Sequence, residues 1–247
     1  MVTNLQYFFE TAKKLRGGRW VWVKDSNGEN RNNILLGGTI ANPNKGFGHL
    51  WAAQLMQYTP GQPMLIFRSF KLKADAAANA TTIYIDGDGY SDAPEVGQYL
   101  MVAPDATEVV SMTADTKTGA VTATKTTYTG TYAKVTGVTY DETNQKFEVT
   151  LENKLSTAKI DAGTILVEAD KAKDTGNTGS APVLCPKPNI FNEADRDMLP
   201  TEGYGFQNAN YSVSGVYNKQ AWIAKMQPLP KYVLALNKSL IDGIFWI

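Results

Sequence analysis

A cluster of carboxylates lies within ten positions of one another: Asp86, Asp88, Asp92 and Glu95. Such a cluster can bind calcium, supply the acid and base of a hydrolase, or lie in a solvated turn. An EF-hand loop starting at Asp86 would place Tyr90 and Gly97 at its fifth and twelfth positions, where oxygen ligands are required. The flanking segments TTIYI and GQYLMVA alternate as strands do, and a helix would flank an EF-hand. We therefore interpret the acids as the loop of the opening hairpin of a β-module, with a looser cation site left open.

Other residues capable of chemistry are few. His49 is the sole histidine, and we place it in a predicted helix beside Leu50 and Trp51. At such a position a histidine that packs in the core or lies on the surface is a better interpretation than a catalytic base. Cys185 lies between an apolar residue and a proline, which is typical of a buried thiol. No His/Cys set has zinc spacing, and neither GGRW nor LLGGT has the GK[ST] ending of a phosphate loop. The sequence thus predicts no enzyme, no catalytic residue, no metal site and no cofactor.

Charge and cysteine content narrow the possible partners. The 247 residues carry 24 Lys plus Arg and 24 Asp plus Glu, so the formal net charge is zero. A balanced chain has no general electrostatic attraction to nucleic acid or to an anionic membrane, so we expect neither as a partner. Because the net charge is zero, electrostatic repulsion does little to keep copies of the protein apart, which suits a protein that works in an assembly. Without a secretory pattern or an apolar run near the roughly 20 residues of a membrane span, we expect a soluble protein made in a cytoplasm.

The elements that must position these residues fall into four parts. Residues 1–73 combine two predicted helices, the second in NKGFGHLWAAQLMQYTPGQP, with the strands RWVWVK and ILLGGTI. Residues 74–169 contain seven short alternating runs separated by turn signals. The sequence predicts a mainly β fold with a few short helices, in which a small antiparallel β-barrel or sandwich module is inserted in or follows a mixed α+β part.

The remaining two parts are an arm and a C-terminal segment. Residues 170–192 read as an extended linker or arm, because DKAKDTGNTGSAP has no apolar anchor and two prolines follow it. Residues 193–247 are predicted to form strands, a short helix in KYVLALNKSLIDGIFWI and an apolar tail, a part that can pack with residues 1–73. The tail is either an edge strand of its own core or a contact between subunits.

Two segments resemble a known family. KVTGVTYDETNQKFEVTLENKLSTAKIDAGTILVEADKAK is similar to the repeating β-domain of head fibre and capsid decoration proteins of tailed, crAss-like bacteriophages that infect Bacteroidales. In that family a GT-L-EA strand precedes a Gly/Ala/Thr-rich connector and a PN segment, and DTGNTGSAPVLCPKPNIF occupies that place here. The final SVSGVYNKQAWIAKMQPLPKYVLALNKSLIDGIFWI also resembles the end of these proteins, so the similarity runs loosely from Thr81 to Ile247.

The resemblance implies a virion structural protein that decorates or reinforces the capsid, on the capsid surface, after synthesis in the host cytoplasm. Its partners would be the major capsid protein or other virion proteins, and it would form a homo-oligomer, a dimer or a trimer, that attaches through many weak contacts. The apolar chain ends and the proline-bearing arm suggest these assembly contacts: Leu5, Phe8, Phe9, Pro182, Pro186, Pro188, Phe191, Phe245, Trp246 and Ile247. Two alternatives remain, a carbohydrate-binding or depolymerising tail or receptor-binding module, and a portal-vertex or neck protein.

Overall fold

A computed structural model describes residues 53–88, 93–105, 130–169, 190–192 and 227–234 with their side chains, and further short strands by their backbone alone. This part of the chain forms many strands and one helix, which confirms the predicted mainly β fold. The first nine strands are β1 (Asn33–Ile34), β2 (His49–Leu50), β3 (Leu55–Gln57), β4 (Leu65–Ile66), β5 (Ser69–Lys71), β6 (Thr82–Asp86), β7 (Tyr99–Val102), β8 (Val110–Ala114) and β9 (Val121–Lys125). The others are β10 (Thr129–Asp141), β11 (Lys146–Leu151), β12 (Ile165–Glu168), β13 (Thr178–Ser180), β14 (Ile190–Asn192), β15 (Arg196–Asp197), β16 (Gly215–Tyr217), β17 (Ala221–Trp222) and β18 (Ile244–Phe245), with helix α1 at Lys231–Leu236 between the last two.

The main sheet has the strand order β5-β12-β7-β10-β11-β6, all antiparallel, and β13 pairs with β10 beside this path. Its two outer strands approach each other, because Leu72 forms a bridge with Ile85 and the Lys73 N–H donates to the Tyr84 carbonyl at 2.8 Å. This contact is a bridge and not a regular ladder. The sheet is therefore strongly curled around its core without closing into a continuous barrel.

The interior of the curl is the main core. Alternation along β11 turns Phe147, Val149 and Leu151 inward, as expected for strands with one apolar face. The register of β10 shifts between Val135 and Gly137, and this bulge resets the alternation. The core contains Phe70, Leu72, Ala76, Ile83, Ile85, Ala93, Leu100, Ala133, Val135, Tyr140, Phe147, Val149, Leu151, Leu155, Ile160 and Leu166.

A second sheet, of order β1-β16-β14-β3-β4, is built from segments far apart in the chain. It contributes to a second core formed by Ala53, Leu55, Phe67, Met101, Tyr132, Val167, Ala169, Phe191, Tyr232 and Val233. Strands β7 and β12 contribute alternate residues to each core, so both of their faces are buried. Burial on both faces explains why YLMV and ILVE are continuous apolar runs.

The helix predicted in NKGFGHLWAAQLMQYTPGQP is wrong, because this segment contains the strands β2 and β3. Ala53 has a φ of 60°, which is incompatible with a right-handed helix. Leu55 and Met56 are both fully buried, as neighbours can be when a strand lies between two layers. An apolar run of this kind cannot be assigned to helix or strand from its periodicity alone. The helix predicted nearer the start of the chain and the strand RWVWVK lie outside the described residues.

Two predicted connections also need correction. The carboxylate loop does not join a hairpin, because β6 pairs with β11 while β7 pairs with β10 and β12. The chain between β6 and β7 therefore joins an outer strand to the middle of the sheet. Within the arm predicted for residues 170–192, β13 is a strand paired to β10, so this segment is not simply a linker. The short C-terminal helix is observed at Lys231–Leu236.

Candidate functional site

The carboxylate loop begins with an ion pair. The Asp86 carboxylate lies 3.0 Å from the Lys73 ammonium, and its side chain is 13% exposed. The next backbone N–H, that of Gly87, donates to the Gln145 carbonyl at 2.9 Å. A Cβ at Gly87 would lie 2.8 Å from a ring carbon of Tyr140, so this close approach requires glycine. These contacts fix the start of the loop and neutralise its first carboxylate.

Two of the other three acids, Asp88 and Glu95, lie in the described part of this loop. Asp88 is exposed, Asp92 lies outside the described residues, and the Glu95 backbone N–H donates to Gln98 Oε1 at 3.2 Å. Within the ranges that the structure describes, no group of three or more His, Cys, Asp and Glu residues could hold a metal ion. The ion pair of Asp86 and the backbone contact of Glu95 are consistent with the turn interpretation.

A cavity of about 510 Å³ opens at one end of the main sheet. Met101 and Val102 form part of its lining, together with Thr131, Ser156 and Thr164. Its volume falls in the range of about 300–1,000 Å³ found for small-ligand pockets. A polar ligand that uses hydroxyl partners could fit this space.

The charged residues of the cavity are paired. The Lys159 ammonium lies 2.7 Å from Asp75 and 2.9 Å from Asp161, and the Lys154 ammonium donates to the Asn79 side-chain oxygen at 2.9 Å. The hydrogen bond to Asp75, followed by that to Asp161, raises the pKa of Lys159 above its ordinary value. The same contact with Lys159 lowers the pKa of Asp75, helped by the Ala162 N–H. The two ion pairs thus favour the protonated form of Lys159, which is not nucleophilic.

A buried hydrogen-bond network ties the C-terminal segment to the sheets. Gln227 is 4% exposed. Its Oε1 accepts from the Leu55 N–H at 3.0 Å, and its Nε2 donates to the Phe67 carbonyl and to Ser69 Oγ, both at 3.1 Å. The Ser69 hydroxyl donates in turn to the Pro228 carbonyl. Each buried polar group in this network has its partner, as a stable interior requires.

A second polar contact lies close to this network. Arg68 Nη1 donates to both carboxylate oxygens of Glu168, at 3.3 and 3.4 Å, and the two side chains are 6% and 18% exposed. The pair joins the start of β5 to the end of β12. Its position and burial indicate a structural role in the seam between the two cores.

The predicted assembly residues separate into three groups. Phe191 is 1% exposed in the second core, so it stabilises the chain's own fold and does not present a surface. The backbone of Ile244–Phe245 pairs in parallel with Ala221–Trp222 of the same chain. The remaining predicted contacts lie outside the described residues: Leu5, Phe8, Phe9, Pro182, Pro186, Pro188, Trp246 and Ile247.

Two other residues were considered for chemistry, His49 and Cys185. His49 lies on β2, not in a helix, and its register partner on β15 is Asp197. Cys185 lies outside the described residues. Sequence reasoning missed Gln227, and no local pattern could have identified it, because its hydrogen-bond partners are about 160 to 170 positions away.

Comparison with known proteins gave no match: no protein-family profile, no curated sequence and no solved structure is significantly similar to this chain. In the part of the chain that the structure describes, no helix is long and apolar enough to cross a membrane.

Proposed function

We propose that the protein is a virion structural component of a tailed bacteriophage that decorates or reinforces the capsid as an oligomer. The sequence resemblance to head fibre and decoration proteins suggests this role. The anchoring of the 170–192 arm supports it best. The arm is anchored at two places: β13, near its middle, pairs with the main sheet, and β14, at its end, lies between β16 and β3 in the second sheet.

This anchoring suits a mechanical building block. All three residues of β14 are buried, and the Gln227 network fixes another distant segment against the same sheets. The buried side chains of Gln227, Ser69 and Arg68 thus join distant segments of the chain to one another. A capsid component under internal pressure benefits from cross-connections of this kind, because detaching β14 or Gln227 would expose buried groups.

Light scattering on the purified protein and co-sedimentation with heads that lack it would test the proposal. We expect a dimer or trimer that sediments with the heads at an affinity well above that of the isolated chain for a single site, because many copies bind at once. A strictly monomeric protein that remains in the supernatant would contradict it. Electron cryomicroscopy of virions carrying a labelled copy would separate a capsid-surface location from the alternative portal-vertex or neck location.

The apolar tail allows a sharper test. If Trp246 contacts another subunit, Trp246→Ala dissociates the oligomer without lowering the melting temperature of the monomer. If the tail packs only against its own chain, the same variant lowers the melting temperature and leaves the oligomer intact. Val96→Ala is a matched control, because Val96 is a large apolar residue that is 65% exposed.

A carbohydrate-binding module is the second candidate, and the cavity of about 510 Å³ with its threonine and serine hydroxyls is the observation that favours it. A pocket of this size that is lined in part by threonine and serine residues is compatible with a sugar ligand. Glycan-array binding that is lost in Ser156→Val would support this function. Asp88→Asn should leave such binding unchanged, because Asp88 is not part of the cavity lining.

A further inference from the structure

The outer face of β6 and β11 carries charged and hydroxyl side chains in a regular pattern. Alternate residues of the two strands point into the main core, so the residues between them lie on the opposite face of the sheet. These outward residues are Thr82, Tyr84 and Asp86 on β6, and Lys146, Glu148 and Thr150 on β11. We propose that this face binds the same face of a second copy and so forms a two-fold symmetric dimer.

One row across this face has alternating charge. The register places Asp141 of β10 opposite Lys146, and Lys146 opposite Asp86. Lys73, whose backbone N–H donates to β6 on the side away from β11, continues the row through its ion pair with Asp86. The sign thus alternates from negative at Asp141 to positive at Lys73. All four groups are partly exposed, and a carboxylate or an ammonium can bind more than one partner, so each can also contact another molecule.

A row of alternating charge is complementary to its own reversed copy. A two-fold axis that is parallel to the strands and lies between β6 and β11 stacks two copies face to face and reverses the row. Lys146 of one copy then faces Asp86 of the other, and Asp141 faces Lys73. Each contact occurs twice, because in a two-fold interface residue i meets residue j and j meets i. This charge complementarity points to a second copy as the partner of the face.

The next two rows fit the same axis. Glu148 is the register neighbour of Tyr84, and Thr150 is the register neighbour of Thr82. In the dimer, Glu148 of one copy faces Tyr84 of the other, where the phenol can donate to the carboxylate, and Thr150 faces Thr82. Glu148 is exposed, and none of the described residues forms an ion pair with it. Its carboxylate is therefore available to the second copy.

The contact is small, because the curl of the main sheet bends the neighbouring strands away from the facing copy. Small contacts are typical of transient complexes, so the isolated dimer should be weak. Many copies on a capsid would strengthen it through avidity, and the formal net charge of zero adds no overall repulsion between them. The dimer contact rests on the proposed function and adds to it the surface through which copies associate.

Reversal of charge along the row tests the contact. Lys73→Glu/Lys146→Glu makes the row wholly acidic, and Asp86→Lys/Asp141→Lys makes it wholly basic. We expect each variant alone to dimerise at least about tenfold more weakly than the wild type, because like charges then face each other. An equimolar mixture of the two should recover association as a heterodimer in native mass spectrometry. Raising NaCl from about 0.1 M to about 1 M, which shortens the screening length from about 10 Å to about 3 Å, should weaken the wild-type dimer.

Thr150→Arg serves if the reversed variants do not fold. Thr150 is exposed, so the monomer can accept an arginine there, whereas the facing copy would be blocked. Thr59→Arg is the matched control, because Thr59 is an exposed threonine between β3 and β4. We expect Thr150→Arg to lose the dimer at an unchanged melting temperature and Thr59→Arg to keep it.

The outcomes separate this contact from the proposed function. An oligomer whose dissociation constant is unchanged by Thr150→Arg, or by both row variants where they fold, overturns the contact and leaves the proposed function in place. A monomeric wild type that still sediments with heads does the same. A monomeric wild type that remains in the supernatant overturns both.

Discussion

The two sheets of the molecule are assembled in different ways. The six strands in the path of the main sheet lie between Ser69 and Glu168, and each pairs with strands from the same region. The second sheet draws on strands between Asn33 and Tyr217, so its pairings close much longer loops. Closing long loops costs chain entropy before any contact compensates for it. The comparison indicates that the main sheet can form first and then serve as the surface on which the second sheet is assembled.

Two phenylalanines three positions apart provide the strongest test of this order. Phe70 lies in the main core and Phe67 in the second core, and both are at most 1% exposed. We expect Phe70→Ala and Phe67→Ala each to lower the free energy of unfolding by about 3–5 kcal/mol. In hydrogen exchange, Phe70→Ala should reduce protection throughout β10 and β11, whereas Phe67→Ala should reduce it mainly in β3 and β14. Equal loss of protection in both sheets would mean that they unfold as one unit.

Removal of the Gln227 side chain should have the next largest effect on stability. Gln227→Ala leaves the buried Leu55 N–H and Phe67 carbonyl without this partner, and each such group costs about 1–3 kcal/mol. The lower free energy of unfolding should be measurable by urea denaturation, and the second sheet should lose the most stability. Gln227→Glu is the matched control, because it keeps an acceptor for Leu55 but cannot donate to Phe67 when ionised. A glutamate variant as stable as the wild type would show that the Phe67 contact contributes nothing.

A smaller effect is expected where the main sheet is most closely packed. Gly87→Ala places a Cβ 2.8 Å from the Tyr140 ring and 3.1 Å from the Gln145 backbone, and overpacking of this kind costs about 1–3 kcal/mol. Gly137→Ala is the control, because its Cβ would meet Thr150 at an ordinary 3.5 Å. Thermal unfolding should therefore separate the two variants. Equal melting temperatures would indicate that the Tyr140 ring moves aside without cost.

Acidic pH should have the smallest effect, confined to the ends of the main sheet. Hydrogen bonds from Lys159 and then from the Ala162 N–H lower the pKa of Asp75 from its ordinary value of 3.8, and hydrogen bonds from Asn144 lower that of Asp141. A lowered pKa in the folded state adds stability above the unfolded-state pKa, and this stability is lost as the pH falls through the folded-state value. The side chains of Asp75 and Asp141 are 53% and 33% exposed, so solvent and salt should weaken the contribution. Between pH 5 and pH 2, Asp75→Asn/Asp141→Asn should show a smaller fall in melting temperature than the wild type, and an unchanged fall would contradict the prediction.

The difference between the sheets also explains what the sequence could predict. Strands such as β6 and β11 were predicted correctly, because Ile83, Ile85, Phe147 and Val149 alternate with polar residues on a one-sided surface. The strand β3 was mistaken for helix, because tertiary burial on both faces removes the alternation on which the prediction depends. The pairing of β6 with β11 instead of β7 was not predictable from local pattern, because strand order is a property of the whole sheet.

The candidate site was predictable to a different extent. The argument against an EF-hand could be made from ligand spacing, since spacing is written in the sequence itself. The cavity and the Gln227 network were not foreseen, because both bring together side chains from distant segments. Contacts between segments so far apart in the chain leave no periodic pattern in the sequence.

The two strands that anchor the arm, β13 and β14, should resist force along the chain to different extents. Under tension along the chain, the three residues of β13 should peel away before the buried β14 moves, because strand pairing at a sheet margin breaks residue by residue. Loss of the β13 pairing would therefore break only a three-residue ladder, whereas loss of β14 would expose the buried side chains of Ile190, Phe191 and Asn192.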